Sequence, residues 1–472
     1  MKKKLSLILL VAILACLLLS AFAGCNSNNE SGEKNTDKLV IYNWEDYIEP
    51  ELLDEFKAYY KSITGINLKI TYTTFDTNET MLTKLIQGDA TVDLIAPSEY
   101  AIERLMTKDL LLSLTDLKQK YISQNAKYAN CFDNIGNGKD GNYGTVDKNV
   151  LDTINAEFAA IKVGNKSRAM TDYMTPYMWG TLGILFNPSY ISRAEVEKYG
   201  YGVLWNKGKN KNINGKILVK DSVRDTYCAA VLYMYEYGLL PEKYKSYTIQ
   251  DLINCTESEM TEAAEKVLTE QRKYISGYEV DFGKDDMINK TAYVDLAWSG
   301  DALWAIEEAE ALGMELDYVA PSIGANLWFD GWCIPKCSPN NLAALMFIDF
   351  MNAPENAIKN SMAIGYTCAV DKDILKATPA VTDTLKSNDY DVDDYFDDER
   401  RYPDFSGEFA VMHDFGKAND AVVAMWERAK AGSGIPMTLI YVLIGVVGIF
   451  GILIAGYIIK EKVKFRKKVE KI

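Results

Sequence analysis

Residues 39–50 read LVIYNWEDYIEP, and this stretch places a tryptophan, two acids and a tyrosine directly after a short apolar strand. Acids are common in a solvated turn, whereas a tryptophan is usually at least partly buried. Similar short runs recur as KLVIYNW, INLKITYTTF, VDLIAPS, KILVKDS, VDLAWSG, LDYVAPS and GWCIPK. They alternate with longer segments in which apolar residues recur every three or four positions, such as PELLDEFKAYYKSI, VRDTYCAAVLYMYEYG and LAALMFIDFMNA. Strand and helix in alternation predict an α/β fold with mainly parallel sheets.

Aromatic residues and acids stand together at the predicted strand ends. In open α/β sheets, ligands bind beyond the carboxyl ends of the strands. The clusters there are Trp44-Glu45-Asp46-Tyr47, Ser98-Glu99-Tyr100, Asp221-Ser222, Trp298-Ser299-Gly300-Asp301 and Trp328-Phe329-Asp330. Carboxylates can pair with ammonium groups, aromatic faces can hold the cations and the methylenes between them, and hydroxyls can accept the remaining N–H donors. The pattern therefore favours a site for an alkylammonium ligand.

Each of these residues also has a purely structural interpretation. The segment from Ser222 to Asp225 has the spacing of a capping box, and Asp301 precedes a helical pattern that it could cap. The tryptophans could be core residues, and Tyr47 and Tyr100 could be surface residues. Only the joint pattern at the strand ends points to a site.

The length and the acids together predict a hinged molecule. About 400 residues lie between the two apolar ends of the chain, too many for one usual domain and comfortable for two. A carboxylate buried without a partner is costly, so a pocket of several acids favours an open, wet cleft that closes on its cation. We therefore expect two lobes with the site between them.

Both ends of the chain carry membrane signals. Residues 1–24 have a basic head, an apolar run and small residues before Cys25, which predicts a signal peptide with lipidation at Cys25, followed by a flexible tether over residues 25–37. Residues 435–459 carry no charge and are long enough for a transmembrane helix, and residues 460–472 form a basic tail. The predicted location is the cell membrane, with the large domain outside and the C-terminus in the cytoplasm.

Composition excludes several classes of function. The whole chain carries a net charge of −15, to which the leader contributes +3 and the basic tail +5, so the remainder carries about −23. Such an acidic domain is a poor candidate for nucleic acid. His413 is the only histidine and no C-x-x-C pair is present, so neither a zinc site nor a serine or cysteine hydrolase is expected. We predict no metal, no cofactor and no enzymatic activity.

Long segments of the chain resemble one protein family. YNWEDYIEPELLDEFKAYY, the NETM segment, TPYMWGTLGILFN, KILVKDSVRDTY, VDLAWSGDALWAIEEA, NLWFDGWCIPK and AIGYTCAV are similar, in this order, to periplasmic polyamine-binding proteins of ABC transporters, of the spermidine/putrescine type. The resemblance implies a two-lobed α/β fold of the periplasmic-binding-protein kind. It implies one lobe of residues 38–180 and 329–375, and another of residues 181–328 and 376–432.

The resemblance also implies a set of binding residues around a polyamine. Asp225 matches a carboxylate that pairs with an ammonium group, Trp298 an aromatic that packs on the aliphatic chain, and Tyr366 a cleft tyrosine. The full set is Trp44, Asp46, Tyr47, Ser98, Tyr100, Asp225, Trp298, Asp301, Trp328, Asp330 and Tyr366.

The departures from the family pattern concern the length of the polyamine. Spermidine-type members carry an additional acid where this chain has Ser222, and a glutamine near Met412. Both losses favour putrescine, as do Asp46 and Asp301, whereas Tyr100 and Trp328 resemble the spermidine type. The implied function is capture of putrescine or spermidine and delivery to an ABC permease and its ATPase.

Two other functions stay open from the residues alone. A secreted glycosidase also uses tryptophan platforms and paired carboxylates. A surface receptor of the same fold would sense the ligand instead of delivering it.

Overall fold

The computed structural model describes residues 36–88, 90–405 and 407–431. The strands are β1 Lys38–Trp44, β2 Lys69–Phe75, β3 Leu94–Ile95, β4 Ile161–Val163, β5 Lys166–Arg168, β6 Met174–Phe186, β7 Ile217–Lys220, β8 Ile275–Glu279, β9 Val294–Trp298, β10 Asp317–Val319, β11 Ala325–Cys333, β12 Thr367–Cys368 and β13 Phe409–Ala410. The helices are α1 Glu51–Thr64, α2 Asn78–Gln87, α3 Glu99–Thr107, α4 Leu114–Gln124, α5 Lys148–Glu157, α6 Arg193–Tyr199, α7 Val223–Glu236, α8 Ile249–Ile253, α9 Ser258–Gln271, α10 Gly283–Ile288, α11 Ser299–Ala311, α12 Asn341–Met351, α13 Pro354–Ile364, α14 Lys372–Ala377, α15 Pro379–Ser387, α16 Val392–Asp397 and α17 Asn419–Ala431.

One mixed sheet runs through the molecule in the order β2-β1-β3-β11-β6-β9-β7-β8. At one end β1 lies parallel to β2 and β3, and at the other end β7 lies parallel to β8 and β9. In the middle, β6 and β11 run antiparallel to their neighbours. The predicted alternation of strand and helix is confirmed, and the expected parallel pairing holds at both ends of the sheet but not at its centre.

The long strand β6 joins the two halves of the sheet. Its residues up to Thr181 pair with β11, and its residues from Leu182 onward pair with β9. All of β6 is buried, as a strand covered on both faces should be. The change of partner between Thr181 and Leu182 divides the molecule into a first lobe around β1 and a second lobe around β7, so the predicted two-lobed α/β fold is present.

Each lobe has its own core. In the first lobe, apolar clusters that contain Trp332 and Ile95 cover the sheet. In the second lobe, the clusters contain Trp205 and Leu185. The side chain of Trp298 packs against a cluster of each lobe, so it lies where the two lobes meet.

Local sequence explains where the elements that carry the site begin and end. Strand β1 coincides with the predicted run KLVIYNW. Helix α2 begins after Thr77, whose hydroxyl accepts from the backbone N–H of Thr80, and it ends at Gly88, whose φ of 76° is left-handed. Helix α7 begins after Ser222, whose hydroxyl accepts from the backbone N–H of Asp225.

The exact boundaries of the two lobes stay a prediction. One segment, however, packs against a different lobe from the one predicted for it. Residues 376–432 were expected in the second lobe. Val381, Leu385 and Phe396 instead lie in a core cluster of the first lobe, because α15 packs against α13 there. The chain reaches the second lobe after β13, where Trp426 joins its core.

Residues 131–172 contain the segment NIGNGKDGNYG, which predicts an insertion or a long loop, but they are partly regular. They contain α5 and the antiparallel pair of β4 and β5. Val150 and Phe158 are buried in a core cluster of the first lobe, so this segment extends that lobe.

Several predictions concern residues that lie outside the described ranges. These are the signal peptide over residues 1–24, lipidation of Cys25, most of the tether over residues 25–37, the transmembrane helix over residues 435–459 and the basic tail over residues 460–472.

Candidate functional site

An acidic and aromatic cavity of about 510 Å³ lies between the two lobes. The carboxyl ends of β1, β3, β7 and β9 meet around it, as the sequence pattern predicts, and β11 crosses its floor. Its lining includes every predicted site residue, namely Trp44, Asp46, Tyr47, Ser98, Tyr100, Asp225, Trp298, Asp301, Trp328, Asp330 and Tyr366. Ser222 and Met412 line it as well.

Asp330 is the buried carboxylate of the first lobe. Its oxygens accept from the hydroxyl of Ser98 at 2.7 Å and from the hydroxyl of Tyr47 at 2.8 Å. A β-bulge between Asp330 and Gly331 breaks the register of β11 at this point, a device that re-aims side chains beside functional sites. Burial raises the pKa of Asp330 to about 7, although both hydroxyl bonds favour the ionised form.

Asp225 is the buried carboxylate of α7 in the second lobe. Its Oδ1 accepts from the indole N–H of Trp298 at 3.3 Å. Ser222 does cap the helix through the backbone N–H of Asp225, so part of the structural interpretation is correct. The carboxylate nevertheless faces the cavity, and burial raises its pKa.

Asp301 does not cap its helix, because the residue before α11 is Trp298 and Asp301 lies in the first turn. Its Oδ1 accepts from the hydroxyl of Tyr366 at 2.9 Å. Two ammonium groups also lie on it: Lys220 Nζ is 3.4 Å from Oδ2 and Lys284 Nζ is 3.8 Å from Oδ1.

Tyr366 can reach Asp301 only because Gly300 has no side chain. A Cβ on Gly300 would lie 2.2 Å from Cγ of the Tyr366 ring. The glycine of the WSGD segment therefore allows a tyrosine of the first lobe to pack on the helix that carries Asp301.

Aromatic rings form a second layer around the carboxylates. The ring of Tyr366 lies 4.9 Å from that of Tyr47 and 5.6 Å from that of Trp328, both edge to face. Trp44 packs on Phe75, with ring centroids 4.6 Å apart, and donates its indole N–H to the carbonyl of Ala96 at 2.9 Å. These contacts fix the rings before any ligand binds.

Asp46 differs from the other predicted acids. It is exposed, and its φ of 50° places it in the left-handed region directly after Trp44 and Glu45. It therefore stands at the opening of the cavity instead of in its interior.

The predicted set of binding residues omits two polar residues that line the cavity, Asn78 and Glu99. Asn78 donates to the hydroxyls of Ser98 and Tyr100, each at 3.0 Å, and so orients both predicted residues. The NETM segment contained this signal. Glu99 also lines the cavity; it accepts from the backbone N–H of Phe329, and burial raises its pKa to about 8.

Arg224 joins the lobes beside the cavity. Its guanidinium carbon lies 3.6 Å from the ring centroid of Tyr100, in the first lobe, and 3.9 Å from that of Phe415. Its nitrogens bind the carbonyl of His413 at 2.6 Å and Asp414 at 3.5 Å. The terminal nitrogens of this arginine are thus bound by groups outside the carboxylate cluster, while its Nε is buried without a hydrogen-bond partner among the described residues. Nothing in its sequence context indicated that position.

Comparison with known proteins identifies the family. Residues 51–387 match the family described as bacterial extracellular solute-binding protein, and the chain belongs to it. The chain is 25% identical over 420 residues to the spermidine/putrescine-binding periplasmic protein of Escherichia coli, covering 88% of this chain and 98% of that protein. It is 24% identical to the putrescine-binding periplasmic protein SpuD of Pseudomonas aeruginosa, covering 84% of this chain and 92% of that protein.

A solved structure agrees with both matches. The spermidine/putrescine ABC transporter substrate-binding protein PotD of Streptococcus pneumoniae has a TM-score of 0.55 and 27% identity, covering 84% of this chain and all of that one. The predicted resemblance to polyamine-binding proteins is confirmed. All three relatives are named as binding proteins, and the one from Streptococcus pneumoniae is named as part of an ABC transporter, which at the level of the family favours a binder over a glycosidase.

The comparisons overturn the predicted location. The relatives from Escherichia coli and Pseudomonas aeruginosa are named periplasmic proteins, not membrane proteins with a cytoplasmic C-terminus. Among the described residues, no helix is both long and apolar enough to cross a membrane. The prediction relied on residues 435–459 and 460–472, which lie outside the described ranges.

Proposed function

We propose that this chain is the solute-binding component of a polyamine ABC importer, and that it captures putrescine or spermidine in the cavity between its lobes. One observation carries the proposal. Asp225 and Asp330 are buried in one cavity and receive hydrogen bonds from hydroxyl and indole groups, yet among the described residues neither has an ammonium or guanidinium group within ion-pair distance. Two buried carboxylates without an ion-pair partner are complementary to a cation with two charged nitrogens.

The proposed binding follows from the protonation of these acids. Because burial raises the pKa of both groups, they hold protons more readily in the empty cavity than in water. An entering ammonium group favours the ionised form and replaces the proton. The charge-assisted hydrogen bond that results exists only with the ligand present, and it supplies the selectivity for cations.

Aromatic side chains would hold the chain between the nitrogens. We propose that Trp44, Trp298 and Trp328 contact the methylenes, while Tyr47 and Tyr366 position the acids. Cation–π contacts in such a cage contribute roughly 0.5 to 2 kcal/mol each. The proposed ligand contacts are Trp44, Asp46, Tyr47, Ser98, Tyr100, Asp225, Trp298, Asp301, Trp328, Asp330 and Tyr366.

Closure of the lobes would then bury the ligand and create the surface that an ABC permease recognises. Strand β6 changes partner between Thr181 and Leu182, and this crossing supplies a hinge. Delivery to the permease and its ATPase completes the proposed cycle.

Calorimetric titration of the purified protein with putrescine, spermidine, spermine and an oligosaccharide tests the proposal. We expect a dissociation constant in the micromolar range or below for at least one amine, which is about −8 kcal/mol or better. We expect no heat with the oligosaccharide. A folded sample that binds no amine would contradict the proposed function.

A further inference from the structure

Two of the chain's own ammonium groups lie on Asp301, at one end of the cavity. Lys220 is buried at the end of β7, and its Nζ lies 2.6 Å from Glu279 Oε1 and 3.4 Å from Asp301 Oδ2. The same nitrogen donates to the carbonyl of Val280 at 2.9 Å. It also lies 4.2 Å from the ring centroid of Trp298, so one face of that ring is occupied by a protein cation.

Lys220 keeps its charge in this setting. Burial alone would lower the pKa of its ammonium, but the carboxylates of Glu279, Asp301 and Asp295 outweigh burial and raise that pKa above its usual value. The charged form of Lys220 is therefore favoured, against Asp301 and Trp298, which line this end of the cavity.

Lys284 supplies the second charge. It lies on α10, lines the cavity, and its Nζ is 3.8 Å from Asp301 Oδ1. Two lysines thus face three acids, Asp301, Glu279 and Asp295, of which Asp295 is held towards its neutral form because burial raises its pKa. Asp281 also lies nearby, but it is exposed, so water screens its charge.

The other end of the cavity is different. Within the part of the chain that the structure describes, Asp225 and Asp330 have only neutral donors as close partners, and the guanidinium of Arg224 is directed to His413 and Asp414. Of the three buried aspartates that line the cavity, Asp225 and Asp330 therefore remain for a ligand to neutralise, and Asp301 is already paired with the chain's own lysines.

We propose that Lys220 and Lys284 are specificity-determining residues, which neutralise Asp301 at one end of the cavity and so select a ligand with two charged nitrogens. A diamine would neutralise Asp225 and Asp330. A third ammonium group, as in spermidine, would meet Lys220 and Lys284 instead of a free acid and an open face of Trp298. This inference rests on the proposed function and names the ligand class as a diamine.

The test is a calorimetric comparison of putrescine with spermidine for the purified protein and for Lys284→Met. Lys284 is partly exposed and its removal leaves the buried pair of Lys220 and Glu279 intact, so the variant should fold. We expect the protein to prefer putrescine, and Lys284→Met to shift the affinity ratio about tenfold towards spermidine.

The matched control is Lys430→Met. Lys430 lies at the edge of the same cavity, but it pairs with Asp221 at 2.8 Å and with Glu427 at 3.0 Å. This variant removes one positive charge without releasing Asp301. The acids that it does release, Asp221 and Glu427, are 39% and 63% exposed, so water screens them and the ratio should change less than twofold.

A second variant addresses the buried lysine. Lys220→Met combined with Glu279→Gln removes both members of the buried ion pair, so neither charge is left alone. Provided that its thermal transition stays cooperative, we expect it to shift the ratio in the same direction as Lys284→Met.

The possible outcomes separate the two proposals. If the unaltered protein prefers spermidine, if Lys284→Met leaves the ratio unchanged, or if Lys430→Met shifts it equally, the role of the lysines is wrong while polyamine binding stands. If no amine binds to the folded protein, the proposed function is wrong and this inference falls with it.

Discussion

The two ends of the cavity hold their carboxylates in opposite ways. Asp330, in the first lobe, is held by the hydroxyls of Ser98 and Tyr47, and residues 36–88, 90–405 and 407–431 place no cation on it. Asp301, in the second lobe, is held by Tyr366 and by two lysines. A buried carboxylate without a cation gains most from an ammonium ligand, whereas one that is already paired gains little. The acids that line one cleft are therefore not equivalent binding sites, because some are already paired with cations of the chain.

The largest effect is expected at the uncompensated end. Asp330→Asn should weaken putrescine binding at pH 8 by about 2 to 5 kcal/mol, because the ammonium group would be buried without its carboxylate. Calorimetry measures the change. A matched control is Asp349→Asn, since Asp349 is also buried with its pKa raised by burial to about 7, but it lies outside the cavity against Asn134. An unchanged affinity in Asp330→Asn would remove Asp330 from the site.

The contact between the two ends can be broken at Gly300. In Gly300→Ala the new Cβ would displace the Tyr366 ring, and overpacking of this kind costs about 1 to 3 kcal/mol of folding free energy. We expect a lower melting temperature and weaker putrescine binding. Gly277→Ala is the control in the same lobe, because no heavy atom lies within 4 Å of its Cβ position. If the two variants have the same melting temperature, the close approach of Tyr366 to Gly300 does not contribute to stability.

The protonation of Asp330 predicts how binding depends on pH. Its pKa is raised to about 7 by burial, and only the ionised form pairs with an ammonium group. Putrescine should therefore bind about tenfold more weakly at pH 6 than at pH 8. In Asp330→Asn this dependence should be much flatter. A wild-type affinity that does not change over this range would contradict an uncompensated Asp330.

The raised pKa of Asp330 also makes the stability of the ligand-free protein depend on pH, but in the direction opposite to that of putrescine binding. The folded pKa of Asp330 lies above that of an unfolded aspartate, so between about pH 4 and 7 the folded state binds more protons than the unfolded state. Its contribution to stability is therefore lost as the pH rises through 7. We expect the melting temperature of the ligand-free protein to fall from pH 6 to pH 8, and less so in Asp330→Asn.

The smallest effect is expected at the opening of the cavity. Asp46 is exposed, so water screens its charge, and asparagine tolerates its left-handed backbone. Asp46→Asn should change putrescine affinity less than threefold in the same titration. A tenfold loss would mean that closure of the lobes buries this acid with the ligand.

Part of this site could be predicted from sequence because strand ends in α/β folds converge. Trp44, Asp330 and Trp298 are far apart in the chain, yet each stands at a strand end or bulge where an aromatic and an acid occur together, and the cavity brings them together. The pattern of an aromatic residue and an acid after each strand was sufficient to find these residues, because the order of the strands in the sheet places the strand ends side by side.

The lysines could not be predicted in this way. In KILVKDS, Lys220 ends a short apolar strand and reads as a polar residue at a turn. Its burial depends on Glu279 at the end of β8 and on Asp301 in the first turn of α11, and neither is visible from the local pattern. The packing of residues 381–396 on the first lobe was missed for the same reason, because it depends on a neighbour in space.

A crystal structure of the protein with putrescine tests whether the diamine pairs with Asp330 and Asp225 while the lysines stay on Asp301. We expect one nitrogen of the diamine within about 2.7 to 3.0 Å of a carboxylate oxygen of Asp330 and the other nitrogen on Asp225, with Lys220 and Lys284 still on Asp301. A diamine outside the cavity, or one whose ammonium group displaces Lys284 from Asp301, would contradict the account.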